Sequence, residues 1–329
     1  MLNWHIEALA LELKYTWKIS RNASAGKINL FVRVTDGQHT GIGEAAPNIR
    51  YNEIPQNLIL QFGKLVAAGL NNVQTLEELF YLLESHKPAN ALRFAVESAY
   101  VHFICQRGNL TVPEFLGVPQ PQPMATTYSV PIMEPGNVAE FIQENELSRF
   151  QALKVKVDQE TCLELVQEVS RNFSGPLLID ANEAWTDPET LLNFFENLKP
   201  YNILFIEQPM PATETEGYVY LKKKSPYDIY ADESVLDDPD WDALQQQFHG
   251  VNMKLMKAGG YLRGKFILEE ARRRGMKTMI GCMIETSLGI WSAMQLSGLA
   301  QTADLDGFLI IREDPFKIVR EENGVLHVG

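Results

Sequence analysis

Between residues 152 and 254, five short apolar runs each end in an ionisable residue or pair. These are Lys154 and Lys156 in ALKVKV, Asp180 in PLLIDAN, Glu207 in ILFIEQP, Asp232 and Glu233 in YDIYADES, and Lys254 in VNMKL. Counted from Lys156, the steps are 24, 27, 25 and 22 residues. One strand, one helix and two loops fill about that length, so the charges recur once per βα unit. Any fold for this chain has to accommodate a charge at the end of successive strands, which a purely structural core would avoid.

The segments around this run extend the pattern. Strand candidates lie at 125–130, 152–157, 176–180, 203–207, 228–232, 251–255, 277–281 and 305–310, with helix-period segments between them. Asp187-Pro188 and Asp238-Pro239 each set an N-cap acid before a proline at the first helical position, and Gly275 closes the helix that starts at Tyr261. A doubly wound open sheet shares the alternation, but a count of eight strands favours a (β/α)8-type barrel over 121–312. Upstream, 4–13, 27–35 and 39–46 alternate as three strands of an antiparallel meander, with a polar stretch at 14–26 between the first two. Helices follow at 53–69, 75–85 and 89–108, and a proline-rich linker at 118–123. The expected architecture is therefore α/β, a modified TIM barrel with an N-terminal α+β capping domain over 1–120 and a tail at 313–329 returning to the cap.

Composition limits the partners. With 42 acidic against 29 basic residues, a net charge of −13 argues against nucleic acid and anionic membrane surfaces. Three cysteines without CxxC spacing speak against a disulfide framework or a zinc site and for a reducing compartment. The N-terminus lacks a basic region followed by an apolar one, and no stretch has the roughly 18 apolar residues of a membrane span, so a cytoplasmic protein is expected. A homo-oligomer is compatible with all of this. The six histidines are scattered and read as structural, and Gly41-Ile42-Gly43 lies within a strand.

Side chains alternate along a strand, so Lys154 and Lys156 share one face and Leu153, Val155 and Val157 the other. In a barrel the apolar face packs on the helices, which turns both lysines into the lumen at the carboxyl end of their strand, where barrel active sites are built. The same parity aligns Asp180 with Leu178, Glu207 with Phe205, and Lys254 with Asn252. Asp304 and Asp306 form another i, i+2 pair near the last strand. Any one of these residues alone would read as a solvated loop residue or a helix cap. Together, three acids converging on one mouth repel each other unless a cation sits among them, and an all-oxygen donor set selects Mg2+ or Mn2+ over Zn2+. Lysines flanking such an ion suit proton transfer at carbon. Removing the proton next to a metal-held carboxylate gives an enediolate whose charge falls on oxygens already neutralised.

These residues resemble the enolase superfamily, its muconate-lactonising-type subgroup, and within that the dipeptide epimerases. The resemblance covers nearly the whole chain through KVK at 154–156, DAN at 180–182, EQP at 207–209, DES at 232–234, NMKLMKAGG at 252–260, GCMIET at 281–286 and DLD at 304–306. It implies Asp180, Glu207 and Asp232 as Mg2+ ligands, Lys156 and Lys254 as acid/base catalysts on opposite faces of the substrate α-carbon, and Lys154 as electrostatic support. It implies a small dipeptide as substrate, its α-ammonium held by Asp304 and Asp306, with Cys282, Met283 and Arg21 also touching it. Lys257 competes with Lys254 within its motif, but its strand parity is wrong for the lumen, so Lys254 is kept. The implied reaction is 1,1-proton transfer at the α-carbon of the C-terminal residue. A lyase of the o-succinylbenzoate synthase or muconate cycloisomerase kind would use the same metal and lysines. A barrel kept only as a binding module would have lost part of this set, which is complete.

Overall fold

The alternating N-terminal segments form an antiparallel meander in the computed structural model, which describes residues 1–20 and 22–328. Its strands are β1 (Asn3–Ile19), β2 (Asn22–Thr35) and β3 (Thr40–Ala45). The first two strands run further than the alternation predicts. Residues 14–26, expected as a polar connection, continue the hairpin through Trp17↔Ser24, Lys18↔Ala23 and Ile19↔Asn22, after a register shift beyond Glu12. The described residues of this extension are exposed or half-buried, so ladder bonds form there without the period-two apolar signal of a strand lying on a core.

Four helices complete the N-terminal unit: α1 (Pro55–Ala67), α2 (Leu76–His86), α3 (Asn90–Gly108) and α4 (Val112–Leu116). Thr75 caps α2 through the Glu78 N–H, and Thr111 and Glu114 form a capping box on α4. The meander lies directly on α3. A Cβ at Gly41 would stand 1.9 Å from the Ala99 carbonyl oxygen and one at Gly43 2.1 Å from that of Ala95, so the glycine pair is what lets β3 approach the helix backbone.

After the short strand β4 (Met124–Ala125), eight strands pair in sequence order and in parallel. They are β5 (Tyr128–Val130), β6 (Leu153–Lys156), β7 (Leu177–Asp180), β8 (Ile203–Glu207), β9 (Asp228–Ala231), β10 (Gly250–Lys254), β11 (Lys277–Gly281) and β12 (Thr302–Asp304). A bridge between Thr126 and Ala303 closes the ring. Around it lie α5 (Val138–Glu144), α6 (Cys162–Asn172), α7 (Pro188–Leu198), α8 (Thr215–Lys224), α9 (Trp241–Gln247), the single turn α10 (Leu255–Ala258), α11 (Tyr261–Arg273) and α12 (Ser287–Met294).

Two sequence expectations shift here. The last strand is Thr302–Asp304, not 305–310; the apolar residues of that later stretch are mostly buried in turns that follow it. The N-cap of α9 is Asp240, which accepts from the Ala243 N–H, instead of Asp238. Asp187 does cap α7, through the Thr190 N–H. A terminal hairpin, β13 (Val319–Glu322) and β14 (Val325–Val328), pairs with β4, while the segment leading to it touches the cap: Ile311 bridges Leu13, and Phe316 packs on Phe31 with ring centroids 5.2 Å apart.

Inside the barrel, side chains stack in layers. Leu178, Phe205, Tyr230 and Met279 form an apolar plug, with the Phe205 and Tyr230 rings stacked at 3.9 Å. Two residues further along the same strands come Asp180, Glu207 and Asp232. The intervening Ile179, Ile206 and Ala231 face the helices as part of the main core.

Buried side chains of the cap fasten it to the barrel at helix ends. Glu44 on β3 accepts from the Thr286 and Gly289 N–H groups at the start of α12 at 2.9 and 3.0 Å, and from Thr286 Oγ1 and Asn29 Nδ2. Glu97 on α3 accepts from the Leu262 N–H in the first turn of α11. His102 joins the same junction, with Nδ1 2.6 Å from the Ile42 carbonyl and Nε2 2.7 Å from Tyr261 Oη.

Candidate active site

Ladder register sets the first three charged positions side by side: Lys156 opposite Asp180, and Asp180 opposite Glu207. Oxygens of Asp180, Glu207 and Asp232 all lie within 4.8 Å of one another, and all three residues are buried. Lys154 Nζ stands 3.0 Å from Asp180, 2.8 Å from Glu207 and 2.7 Å from Asp304. Lys156 Nζ is 2.5 Å from Asp180 Oδ2, and Lys254 Nζ 2.9 Å from Asp232 Oδ2. The inward parity read from the sequence therefore holds for each of these residues.

It fails for Lys257. Strand geometry stops at Lys254 and α10 begins at Leu255, so Lys257 comes round one helical turn later, with Nζ 2.5 Å from Asp232 Oδ1 and also bonded to the Asp232 and Asn252 carbonyls. Helical i, i+3 spacing carried that signal in the sequence, and strand parity hid it.

Charge repulsion among the acids is met in part by the protein itself. Burial alone would raise the carboxyl of Asp180, but Lys154 and Lys156 hold it below the usual range. Lys254 and Lys257 do the same for Asp232, and Lys154 and Lys156 for Asp304. Glu207 differs: burial, opposed by Lys154 and reinforced by Asp180 and Asp232, leaves it at about 7. Burial would strip Lys254 of its proton, but Asp232, Glu207 and Asp180 together outweigh burial and the opposing Lys154 and hold it in the ammonium form.

Asp304 and Asp306 lie at and just beyond the end of β12. Thr127 Oγ1 donates to Asp304 and the Ser129 N–H to Asp306, at 2.7 and 2.6 Å. Burial, then Asp304, pushes Asp306 up to about 6. Cys282 and Met283 follow β11 directly; Cys282 Sγ accepts from the Gly307 N–H, and Met283 Sδ contacts Asn48 Nδ2 of the cap. Arg21 lies outside the described residues.

Several contributors were not read from the sequence. Asn252 donates to Glu207 at 2.9 Å, and the Gln208 side chain accepts from the Asp232 N–H and donates to Ser234 Oγ. Thr127 and Ser129 could have been found, since polar residues at i, i+2 interrupt an apolar strand. The cap loops 18–24 and 47–53 are specificity candidates by sequence, but their individual contacts could not be found there: Ser20 Oγ donates to the Asn182 carbonyl, Arg50 grips Glu183 at 2.8 and 2.9 Å, and Tyr51 is raised by burial and then by Asp232 and Glu233.

Comparison with known proteins agrees with this geometry. Residues 137–317 match the family described as Enolase C-terminal domain-like. The L-Ala-D/L-amino acid epimerase of Pedosphaera parvula is 32% identical over 328 residues, covering 96% of this chain and 93% of the relative. The crystal structure of a dipeptide epimerase from Enterococcus faecalis, complexed with Mg and the dipeptide L-Leu-L-Tyr, superposes with a TM-score of 0.89 at 26% identity, covering 99% of this chain and 96% of that one. An enolase family member from Agrobacterium tumefaciens with homology to dipeptide epimerases, bound to sodium and L-Ala-L-Glu, gives 0.89 at 28% identity, with 100% and 98% coverage. Buried strand-end carboxylates between opposed lysines, on a chain matched over nearly its full length, assign this protein to the enolase C-terminal domain-like family of the enolase superfamily.

Proposed function

We infer that the protein is a dipeptide epimerase, inverting the α-carbon of a dipeptide's C-terminal residue: one of Lys156 and Lys254 takes the α-proton from one face and the other gives a proton to the opposite face. The observation that carries this reading is the placement of the two lysines on β6 and β10, the second and sixth strands of eight, with the carboxylate-bearing β7, β8 and β9 between them. Groups on opposed walls of a barrel reach opposite faces of a flat reacting carbon, which inversion requires.

Asp180, Glu207 and Asp232 would hold a divalent cation. Three buried, hard oxygen donors within 4.8 Å fit Mg2+, and the same donors accept Mn2+. When bound, the ion supplies fixed positive charge to the substrate carboxylate, where the electron pair left by proton removal comes to rest. Lys254, held as the ammonium, is the donor for one direction of reaction, and the roles of the two lysines reverse for the other. Lys154, tied to three carboxylates, keeps positive potential beside the reacting centre without moving a proton. Asp304 and Asp306 would receive the α-ammonium; Asp304 is already bonded to Lys154 and Thr127, so Asp306 carries more of that task. Lyase substrates of the o-succinylbenzoate type present no ammonium, and the relatives are named as epimerases, so epimerisation is preferred. We assign the protein to the cytoplasm, where its three free cysteines stay reduced. Among the described residues, no helix is long and apolar enough to cross a membrane.

Incubation with a dipeptide library in D2O tests the reaction. The expected result is α-deuterium at the C-terminal residue together with the inverted configuration, both abolished by EDTA and restored by Mg2+. Exchange that survives chelation would sink the metal role, and Asp306→Asn should cripple epimerisation while sparing a lyase.

A further inference from the structure

The three carboxylates of the triad stand on three different strands, so the gaps between their oxygens depend on what fixes one strand end against the next. Between β7 and β8 the ladder itself does this, because Asp180 and Glu207 are paired in register. Between β8 and β9 it does not. The last paired residues are Glu207 and Tyr230, and Asp232 lies two residues beyond.

Gln208 spans that interval. Its N–H donates to the Tyr230 carbonyl at 2.9 Å, and its own carbonyl accepts from the Glu183 N–H at 2.8 Å, reaching back toward β7. Its side-chain Oε1 accepts from the N–H groups of Asp232 and Ser234 at 2.8 and 3.1 Å. Nε2 donates to Ser234 Oγ, Tyr218 Oη and the Met210 carbonyl. The residue is fully buried, and its φ of 35° is a left-handed conformation that a residue with a Cβ adopts only when its surroundings hold it there. Lys254 and Lys257 also grip Asp232, but from the ends of flexible four-carbon stems. Gln208 instead acts on the backbone from which the carboxylate hangs.

We propose that Gln208 is a positioning residue, a strut that fixes the spacing among Asp180, Glu207 and Asp232 tightly enough to favour a small divalent cation over a larger one. This rests on the metal reading given above. Mg2+ requires a near-octahedral shell at about 2.0–2.1 Å, whereas Ca2+ accepts irregular shells at about 2.3–2.6 Å, so loosening the strut penalises Mg2+ selectively.

The test is calorimetric titration of the full chain with Mg2+ and, separately, Ca2+, without substrate. Gln208→Met keeps length and volume and removes every amide bond. Its Mg2+ affinity is expected to fall about 10- to 100-fold, in the range found for groups that orient metal ligands, and its Ca2+ affinity to fall less than about threefold. Tyr218→Phe removes only the hydroxyl that anchors Nε2; it should shift the Ca2+ to Mg2+ ratio in the same direction by a smaller factor, and it decides the matter if Gln208→Met does not fold. An unchanged ratio overturns the strut. Failure of the native chain to bind either cation overturns the metal reading, and the strut with it.

Discussion

Carboxylates are buried in two places in this molecule, and they are held in opposite ways. In the barrel mouth Asp180, Asp232 and Asp304 face lysines, which keep them ionised below the usual range, while Glu207 and Asp306 beside them are raised by burial. At the cap–barrel junction Glu44 faces backbone N–H groups, a hydroxyl and an amide; burial wins there, and its carboxyl titrates higher than usual. Fixed dipoles satisfy hydrogen-bond geometry, but they do not replace a full countercharge in a dry site. The difference suits the two tasks. An ammonium on a flexible stem can exchange one carboxylate for a substrate atom, while an N–H at a helix start stays where the helix puts it.

The largest effects should come from the lysines. Lys156→Met or Lys254→Met is expected to cut epimerisation about 1000-fold or more while leaving α-proton exchange with D2O for the one epimer whose hydrogen faces the remaining lysine. A single variant that still exchanges both epimers would break the two-face reading. At the junction, Glu44→Ala leaves the Thr286 and Gly289 N–H groups without acceptors and should cost about 3 kcal/mol of unfolding free energy in urea. A loss under about 1 kcal/mol would mean that water replaces the carboxylate.

Glu285 sharpens the contrast. Burial, then Glu44, pushes it up to about 8. An unfolded glutamate ionises above its ordinary value of 4.5 while the folded one keeps its proton, so stability falls as pH rises from about 4.5 to about 8. Glu285→Gln mimics the protonated form and should raise stability at pH 8 by about 1–3 kcal/mol, with no gain at pH 4.

His102 runs the other way. Burial lowers it to about 4 from an ordinary value of 6.5, and stability is lost as pH falls through that interval. Melting curves of His102→Gln should lack this slope. The smallest effect belongs to Arg50→Ala, which removes a half-exposed ion pair to Glu183 and should cost under about 1 kcal/mol while raising KM, since that pair joins a cap loop to the barrel mouth.

Much of this was legible in the sequence for a physical reason. A barrel mouth is read by parity, and Asp180, Glu207 and Lys254 sit on strands whose alternate residues are apolar and core-facing. Where backbone geometry changes, the reading failed. Lys257 belongs to a helical turn, the last strand ends at Asp304 although the apolar residues that suggested a strand lie at 305–310, and the exposed half of the β1–β2 hairpin carries no hydrophobic period. Gln208 was invisible because its role is set by a left-handed backbone and by atoms on two other strands, neither of which a single chain segment encodes.

The bridge from Leu13 to Ile311, with the Arg312 N–H donating to the Glu12 carbonyl, ties the first strand to a loop made roughly three hundred residues later. At about 5–20 residues per second, a ribosome needs about 15–60 s to cover that distance. During that time the meander has the cap helices α1 and α3 to pack on, and the long hairpin arm waits beside them with its landing place unmade. Docking of this arm on the barrel is thus among the last contacts to become available during synthesis, and a chain halted before residue 310 would carry every lysine and carboxylate of the mouth yet lack it.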